Sequence, residues 1–366
     1  MSLIHKIALT FIRSVGHVTA RNLVSHFGTA EAVFKASKRE LIKIPGVGPV
    51  TAAQILSNDA LKMAGQQIKL IRKYKINVLF YTDEQYPKRL RNCYDAPILL
   101  YYRGNADLNH HRMVSIVGTR NATEYGRQLC KQLAEILSAY GVMIVSGLAY
   151  GIDIAAHKES LHQNIPTIGI LAHGLDRIYP NIHRSIAAKM ELNGGLLTEF
   201  PIGTIPDKEN FPKRNRIIAG ISDVTIVVEA TAKGGALITA DLANSYHRDV
   251  YAFPGRTTDL CSEGCNFLIK TNRAALINHA KDLVYYLGWE VVPNVLPNKA
   301  APLEVPVYLT LAEEKIIKRL RTSAAGIDDL LLDTSLPQSK LVLHLLDLEI
   351  RGILVSLPGK VYQLLS

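Results

Sequence analysis

Six short runs between residues 113 and 253 are mostly apolar, rich in β-branched residues and show little alternation: Met113–Val117, Val142–Ser146, Thr167–Leu171, Leu196–Phe200, Val224–Glu229 and Val250–Phe253. A strand with one face in water alternates apolar and polar residues, so runs of this kind imply burial on both faces. Amphipathic stretches of helical period separate them. Strands alternating with helices in this way predict an α/β fold: a Rossmann-like, doubly wound, mostly parallel sheet covered on both sides. Ligands of such sheets sit beyond the carboxyl ends of the strands, where the strand order reverses, so the residues after each run are the ones to inspect.

Gly118-Thr119-Arg120 follows the first run, and Thr123-Glu124 then opens a helix. A glycine turn at a helix start leaves backbone N–H groups free, and Arg120 adds a forked cation, which together suit a phosphate. Ser146-Gly147-Leu148-Ala149-Tyr150-Gly151-Ile152-Asp153 repeats the device after the second run. The densest basic cluster of the middle region is Lys208 to Gly220, where Lys208, Lys213, Arg214 and Arg216 flank Phe211 and two asparagines immediately before a strand. Cations for phosphates beside one aromatic face for a base are what an unpaired nucleic acid requires. Arg214 or Arg216 could also pair with Glu199, Asp223 or Glu229 around the sheet, and at least one of the two is expected to be structural.

A different class of function competes for the same turns. Glycine bends at strand ends equally suit a mononucleotide, with Asp153, His157 or Glu229 as acid–base candidates of a nucleotide-processing enzyme. Asp153 and His157 lie four apart on one helix face, although a cap at Asp153 and a carbonyl partner for His157 explain them as well. A non-binding scaffold is the third reading. The chain has no G-x-x-x-x-G-K-[ST], H-E-x-x-H or G-x-S-x-G motif, and Cys261-x-x-x-Cys265 lacks zinc-site spacing, so neither a metal nor a cofactor is expected.

The 366 residues are too many for one core, and two or three domains are expected. The net charge of +10 is unevenly placed. Residues 1–75 hold 12 Lys and Arg against 3 Asp and Glu, residues 76–290 hold 22 against 21, and residues 291–366 hold 8 of each. A concentrated positive patch at the N-terminus points to a polyanion. Within it, Leu41-x-x-Ile44-Pro45-Gly46-Val47-Gly48-x-x-x-Ala52-x-x-Ile55 reads as two short helices joined by a glycine hairpin, and Leu9, Ile12, Val15, Gly16, Ala20 and Leu23 repeat it 32 positions earlier with Ser14 for the first glycine. This resembles tandem helix-hairpin-helix motifs, which imply contact with a DNA backbone; a helical bundle that binds protein, or nothing, is the alternative. Four cysteines in so long a chain, no cleavable leader and no apolar run of about 18 residues lead to the expectation of a cytoplasmic protein without membrane contact.

Pro293, Pro297, Pro302 and Pro306 mark a linker. Beyond it Leu311–Leu320, Ile327–Leu332 and Gln338–Arg351 read as helices, and Ile353–Val355 with Val361–Gln363 as a hairpin around Leu357-Pro358-Gly359-Lys360, an arrangement that resembles a winged helix. Lys340, His344 and Arg351 are its candidate recognition residues, for DNA or for protein. The expected domains are a helical one at 1–75, the sheet domain at 76–290, the linker at 291–306 and the winged helix at 307–366.

One family resemblance runs through the centre of the chain. Tyr86-Pro87-x-x-Leu90, Asp95-x-Pro97, Val117-Gly118-Thr119-Arg120, Ser146-Gly147-x-Ala149-x-Gly151-Ile152-Asp153-x-x-Ala156-His157, Asn210-Phe211-Pro212-x-Arg214-Asn215-Arg216, Glu229-Ala230, Thr239-Ala240, Pro254-Gly255 and Ser262-Glu263-Gly264-Cys265-Asn266 occur in order between about residues 76 and 282. The series resembles the DNA-processing protein A (DprA, also called Smf) family. The resemblance implies a non-enzymatic, homodimeric protein that binds incoming single-stranded DNA during natural transformation, protects it and loads the RecA recombinase onto it. It further implies a DNA site made of Gly118, Thr119, Arg120, Gly147, Lys208 and Phe211, with Arg214 and Arg216 in support. The chain departs from the family pattern at Gly234-Gly235-Ala236, where Ser-Gly-Ser is usual, and at Thr271-Asn272-Arg273-Ala274, where a Gly-Ala pair usually follows Lys270.

Overall fold

Six helices open the chain: α1 (Leu3–Ala8), α2 (His17–Phe27), α3 (Ala30–Lys35), α4 (Lys38–Leu41), α5 (Pro49–Leu56) and α6 (Asp59–Lys73). The computed structural model describes residues 2–291, 309–351, 353–357 and 361–364. The repeat of 32 residues is visible in the backbone. Gly16 and Gly48 are the N-caps of α2 and α5, Val15 and Val47 each donate to an isoleucine carbonyl at 3.0 Å, and Ala20 and Ala52 each donate to their capping glycine at 2.9 Å. Gly46 has φ of +85°, the left-handed region that glycine enters without strain. The first copy turns on Ser14 instead, whose hydroxyl donates to Gln54 at 2.6 Å and so ties the two hairpins together.

The sheet has nine strands: β1 (Asn77–Phe80), β2 (Leu99–Gly104), β3 (Met113–Val117), β4 (Met143–Ser146), β5 (Thr167–Ile170), β6 (Gly194–Thr198), β7 (Val224–Val227), β8 (Asp249–Ala252) and β9 (Ala275–Leu276). Their spatial order is β1-β2-β6-β5-β4-β3-β7-β8-β9. All pairings from β6 to β9 are parallel, while β1–β2 and β2–β6 are antiparallel. Each central strand is buried on both faces. Val114 and Ile116 face one apolar layer, Met113 and Val117 the other. The first layer is covered by α8 (Glu124–Leu137), α9 (Ile152–His162) and α14 (Ala280–Tyr286), the second by α11 (Asn210–Ile221), α12 (Gly235–Ser245) and α13 (Glu263–Lys270); the short α7 (Lys88–Arg91) adds Leu90 to the second layer, and α10 (Arg184–Leu192) puts Ala187 and Met190 in one apolar cluster with Leu196. From β3 the chain winds one way through β4, β5 and β6, then returns to place β7 on the other side of β3, so the order reverses between β3 and β7.

Residue 75 is a change of architecture and not a break in the core. Ile7, Leu23, Leu41 and Ile55 of the helices share one apolar cluster with Phe80, Leu99, Leu171 and Leu196 of the sheet region. Polar ties reinforce it. Lys6 pairs with Asp83 at 2.6 Å, and Arg21 donates to the Ala96 carbonyl at 2.6 Å. These two cations of the N-terminal excess are therefore structural, and the other ten are exposed.

Residues 309–364 form a separate unit. The helices α15 (Leu311–Leu320), α16 (Ile327–Thr334) and α17 (Gln338–Ile350) enclose Ile316, Leu320, Leu330, Leu341, Leu345 and Leu348. A three-stranded sheet, β10 (Ala325–Gly326), β11 (Leu354–Leu357) and β12 (Val361–Leu364), has the order β10-β12-β11. This is the winged-helix arrangement, with β10 an addition to the expected elements. Of its candidate recognition residues, Arg351 pairs with buried Glu313 and with Asp347, and His344 lies 3.7 Å from Glu313; Lys340 remains exposed. The proline-rich linker and the hairpin tip Pro358-Gly359-Lys360 lie outside the described residues.

Candidate nucleic-acid interface

The turn after β3 is held from two sides. Thr119 donates its N–H to the Glu229 carbonyl at 2.8 Å, and its own carbonyl accepts from Ile152 at 3.1 Å. Thr123 caps α8 by accepting from Gly126 at 3.2 Å. The Glu229 carboxylate accepts both the Thr123 N–H, at 2.9 Å, and its hydroxyl. Glu229 is thereby committed to shaping the turn.

The turn after β4 fits against it through glycine. Gly151 has φ of +78°, and a Cβ there would lie 2.1 Å from the Thr119 carbonyl oxygen. At Gly147 a Cβ would meet the Arg214 guanidinium at 1.2 Å, so Gly147 makes the space that Arg214 occupies. Arg214 is buried, donates to the Ile170 carbonyl at 3.2 Å and lies 3.8 Å from Asp153. Asp153 also accepts from the Ala149 N–H at 3.4 Å. Burial pushes the Asp153 carboxyl up from its ordinary range, and the Arg214 charge works against that rise.

The basic cluster is a helix, α11, that leads into β7. Pro212 falls in its first turn, where the missing N–H has no helical partner to lose. At about 100° per residue, Arg214 lies ~60° around the helix from Phe211, but Arg216 lies ~140° away. The structure divides them accordingly. Phe211 and Arg214 face the crevice. Arg216 turns to the Glu199 carboxylate and the Asp95 carbonyl, with His17 3.1 Å from Glu199. Arg216 thus makes the structural pairing with Glu199 that the sequence allowed, tying α11 to the segments after β6 and before β2, and it does not line the crevice where the resemblance put it in support. Lys208 stands exposed ahead of α11 and is not part of the crevice wall.

The crevice, about 300 Å³, opens where the strand order reverses. Gly118, Thr119 and Arg120 form one wall, Phe211 and Arg214 another, and Lys233-Gly234-Gly235-Ala236 at the start of α12 a third. Arg120 lies over the Phe211 ring, 5.0 Å from its centroid, with Arg214 at 6.0 Å. Three cations face one carboxylate, which favours an anion. Gly147 lines a smaller compartment of about 70 Å³ that adjoins the crevice behind Phe211. The residues after β7 were open to discovery from the rule that sites follow strand ends, which points to Lys233 once the order of strands is known. No comparable signal marks Tyr179, which lines the smaller compartment.

His157 does not pair with Asp153. It is fully buried, and since the Thr167 hydroxyl donates to the Ile144 carbonyl at 3.1 Å, His157 Nδ1 donates to Thr167 Oγ1 at 2.7 Å. Burial pushes its pKa down from 6.5 to about 3. The unfolded chain therefore takes up a proton near pH 6.5 that the folded protein refuses, and the stability present above pH 6.5 drains away as pH falls toward 3. At pH 5 the expected loss is about 2 kcal/mol relative to pH 8. Denaturant unfolding at both pH values checks this, and the extra loss on acidification should vanish in His157→Gln. An equal pH dependence in that variant would contradict the assignment.

Comparisons with known proteins agree on one family. The model of the DNA recombination-mediator protein A family matches residues 77–288, a helix-hairpin-helix model matches residues 7–58, and a DprA winged-helix model matches residues 298–360. Protein Smf of Synechocystis is 31% identical over 98% of this chain and 97% of its own length. The DNA processing protein DprA of Bacillus subtilis is 37% identical over 66% of this chain and 84% of its own. Among solved structures, DNA processing protein A of Streptococcus pneumoniae aligns with a TM-score of 0.69 at 30% identity, covering 78% of this chain and 98% of that one. DNA processing protein A of Helicobacter pylori, solved for its single-stranded DNA binding mode, aligns with a TM-score of 0.53 at 32% identity, covering 58% and 95%. With more than half of its length matched by the family model and a relative of this similarity spanning nearly all of it, the chain belongs to the DNA recombination-mediator protein A family.

Proposed function

We propose that the crevice between β3 and β7 binds single-stranded DNA, and that the protein protects incoming strands during natural transformation and hands them to the RecA recombinase. In this reading it acts in the cytoplasm as a homodimer formed through the sheet domain, and it binds without cutting. The observation that carries the proposal is the Arg120 guanidinium lying 5.0 Å over the Phe211 ring, at the mouth of a crevice whose turns begin two helices. The N–H groups of Thr119, Thr123, Ala149 and Ile152 are spent within the turns, so in this reading the Arg120 cation holds phosphate and the ring takes a base. The Bacillus subtilis relative is named a DNA processing protein, and the Helicobacter pylori relative is described by its single-stranded DNA binding mode.

The acid–base candidates of the competing enzyme reading are engaged in structural contacts, which favours binding over catalysis. Glu229 holds the Thr123 turn, Asp153 faces Arg214, and His157 is sealed against Thr167. Titration of the full chain with single- and double-stranded oligonucleotides at about 50 and 200 mM salt tests the proposal. Preference for the single strand, indifference to its sequence and steep weakening with salt are expected. Equal affinity for duplex, or nucleotide turnover abolished by Asp153→Asn, would overturn it.

A further inference from the structure

Two tyrosines stand at the rim of the crevice with their rings half in solvent. Tyr150, in the turn after β4, is 50% exposed, and Tyr179, in the loop after β5, is 49% exposed. Neither belongs to the apolar core. Both line the small compartment that shares Arg120, Phe211 and Arg214 with the main crevice. The Tyr179 ring centroid lies 6.3 Å from that of Phe211 with the planes 55° apart. Tyr150 meets the buried His183 ring edge-on at 5.3 Å.

The loops that carry both rings are held in place before any ligand arrives. His183 bonds through Nδ1 to the Leu148 carbonyl at 2.9 Å, which joins the loop after β5 to the turn after β4. Arg103 donates to the Leu175 carbonyl at 3.1 Å, Gly174 donates to the Thr204 carbonyl at 3.1 Å, and Asp176 accepts from the Gly203 N–H at 2.9 Å. Rings carried on loops fixed in this way contact a ligand at a smaller cost in conformational entropy than rings on free loops.

We propose that Tyr179 and Tyr150 extend the base-contact track that begins at Phe211, so that the site takes at least three consecutive unpaired nucleotides running from the crevice over the loop after β5. The inference rests on the reading that the crevice holds single-stranded DNA. The ring geometry decides how bases would be shared. A base sandwiched between two parallel rings needs about 7 Å between them, two contacts of ~3.5 Å. The separation of 6.3 Å and the tilt of 55° exclude that arrangement, so Phe211 and Tyr179 each take a different base. Stacking accepts any base, which matches a site that does not read sequence.

The test is equilibrium titration of the full chain with a short thymidine homopolymer at two ionic strengths, for the wild type, Tyr179→Ala, Tyr179→Phe, Tyr150→Ala and Arg120→Ala. Each tyrosine-to-alanine change is expected to weaken binding roughly 5- to 150-fold, with the slope of log affinity against log salt unchanged because no phosphate contact is lost. Tyr179→Phe keeps the ring and should bind as the wild type does. Thermal midpoints of the tyrosine variants should match the wild type, since half-exposed side chains are removed. Loss of affinity in Arg120→Ala with none in either tyrosine-to-alanine variant would overturn the track and leave the crevice standing. No loss in any of the three would overturn both.

Discussion

An Arg214→Leu variant is expected to lose about 3–5 kcal/mol of folding stability at neutral pH, the usual consequence of stranding one partner of a buried ion pair. Asp153 lies 3.8 Å from the guanidinium and is almost wholly buried, so removing Arg214 leaves a carboxylate without its main compensating charge. The leucine also gives up the hydrogen bond to the Ile170 carbonyl and the contact with Phe211. The pH dependence has a definite sign. Burial already raises the Asp153 pKa, and loss of Arg214 raises it further. A carboxyl whose folded pKa lies above its unfolded value binds more protons when folded, so the deficit of Arg214→Leu should shrink as pH falls from 7 toward 5. Adding Asp153→Asn should recover most of the loss, since the stranded charge is gone. Denaturant unfolding of the single and double variants measures this, and a small loss indifferent to both pH and Asp153→Asn would contradict the pairing.

Arg120→Ala and Phe211→Ala are expected to weaken single-stranded DNA binding in two distinguishable ways. Arg120 is exposed, so its removal costs little stability but deletes a cation that the proposed binding mode sets against phosphate. The slope of log affinity against log salt should become shallower by about 0.7, one phosphate contact on a single strand. Phe211→Ala should cost ~1–3 kcal/mol of binding, the worth of one stacked base, with the slope unchanged. The two side chains touch at 5.0 Å, so the double variant should depart from the sum of the singles. Binding titrations across a salt series check all three outcomes.

Much of this site could be read from residues because the physics behind it is local. The central strands run apolar since helices cover both faces, as the split of Val114 and Ile116 from Met113 and Val117 shows. The turns at Gly118 and Gly147 announce themselves because close approach demands glycine there. The rest depends on what meets across space. The antiparallel pair β1–β2 precedes the strand–helix alternation and has no crossover helix to mark it. Arg216 has the same chemistry as Arg214 and differs only by its angle around α11, a distinction that needs the helix to be recognised despite Pro212. Nothing in the composition of residues 1–75 reveals that their apolar residues share a core with Phe80 and Leu99. Tyr179 acquires meaning only beside Phe211, 32 positions later in the chain.

Ultraviolet crosslinking of a single strand carrying 5-bromodeoxyuridine, followed by sequencing of the joined peptides, asks most directly where the polynucleotide lies. The crevice account predicts that the principal adduct falls on Phe211, with Tyr179 next, and that Phe211→Ala removes the first. Adducts confined to the N-terminal helices or to residues 309–364, with none around α11, would contradict it.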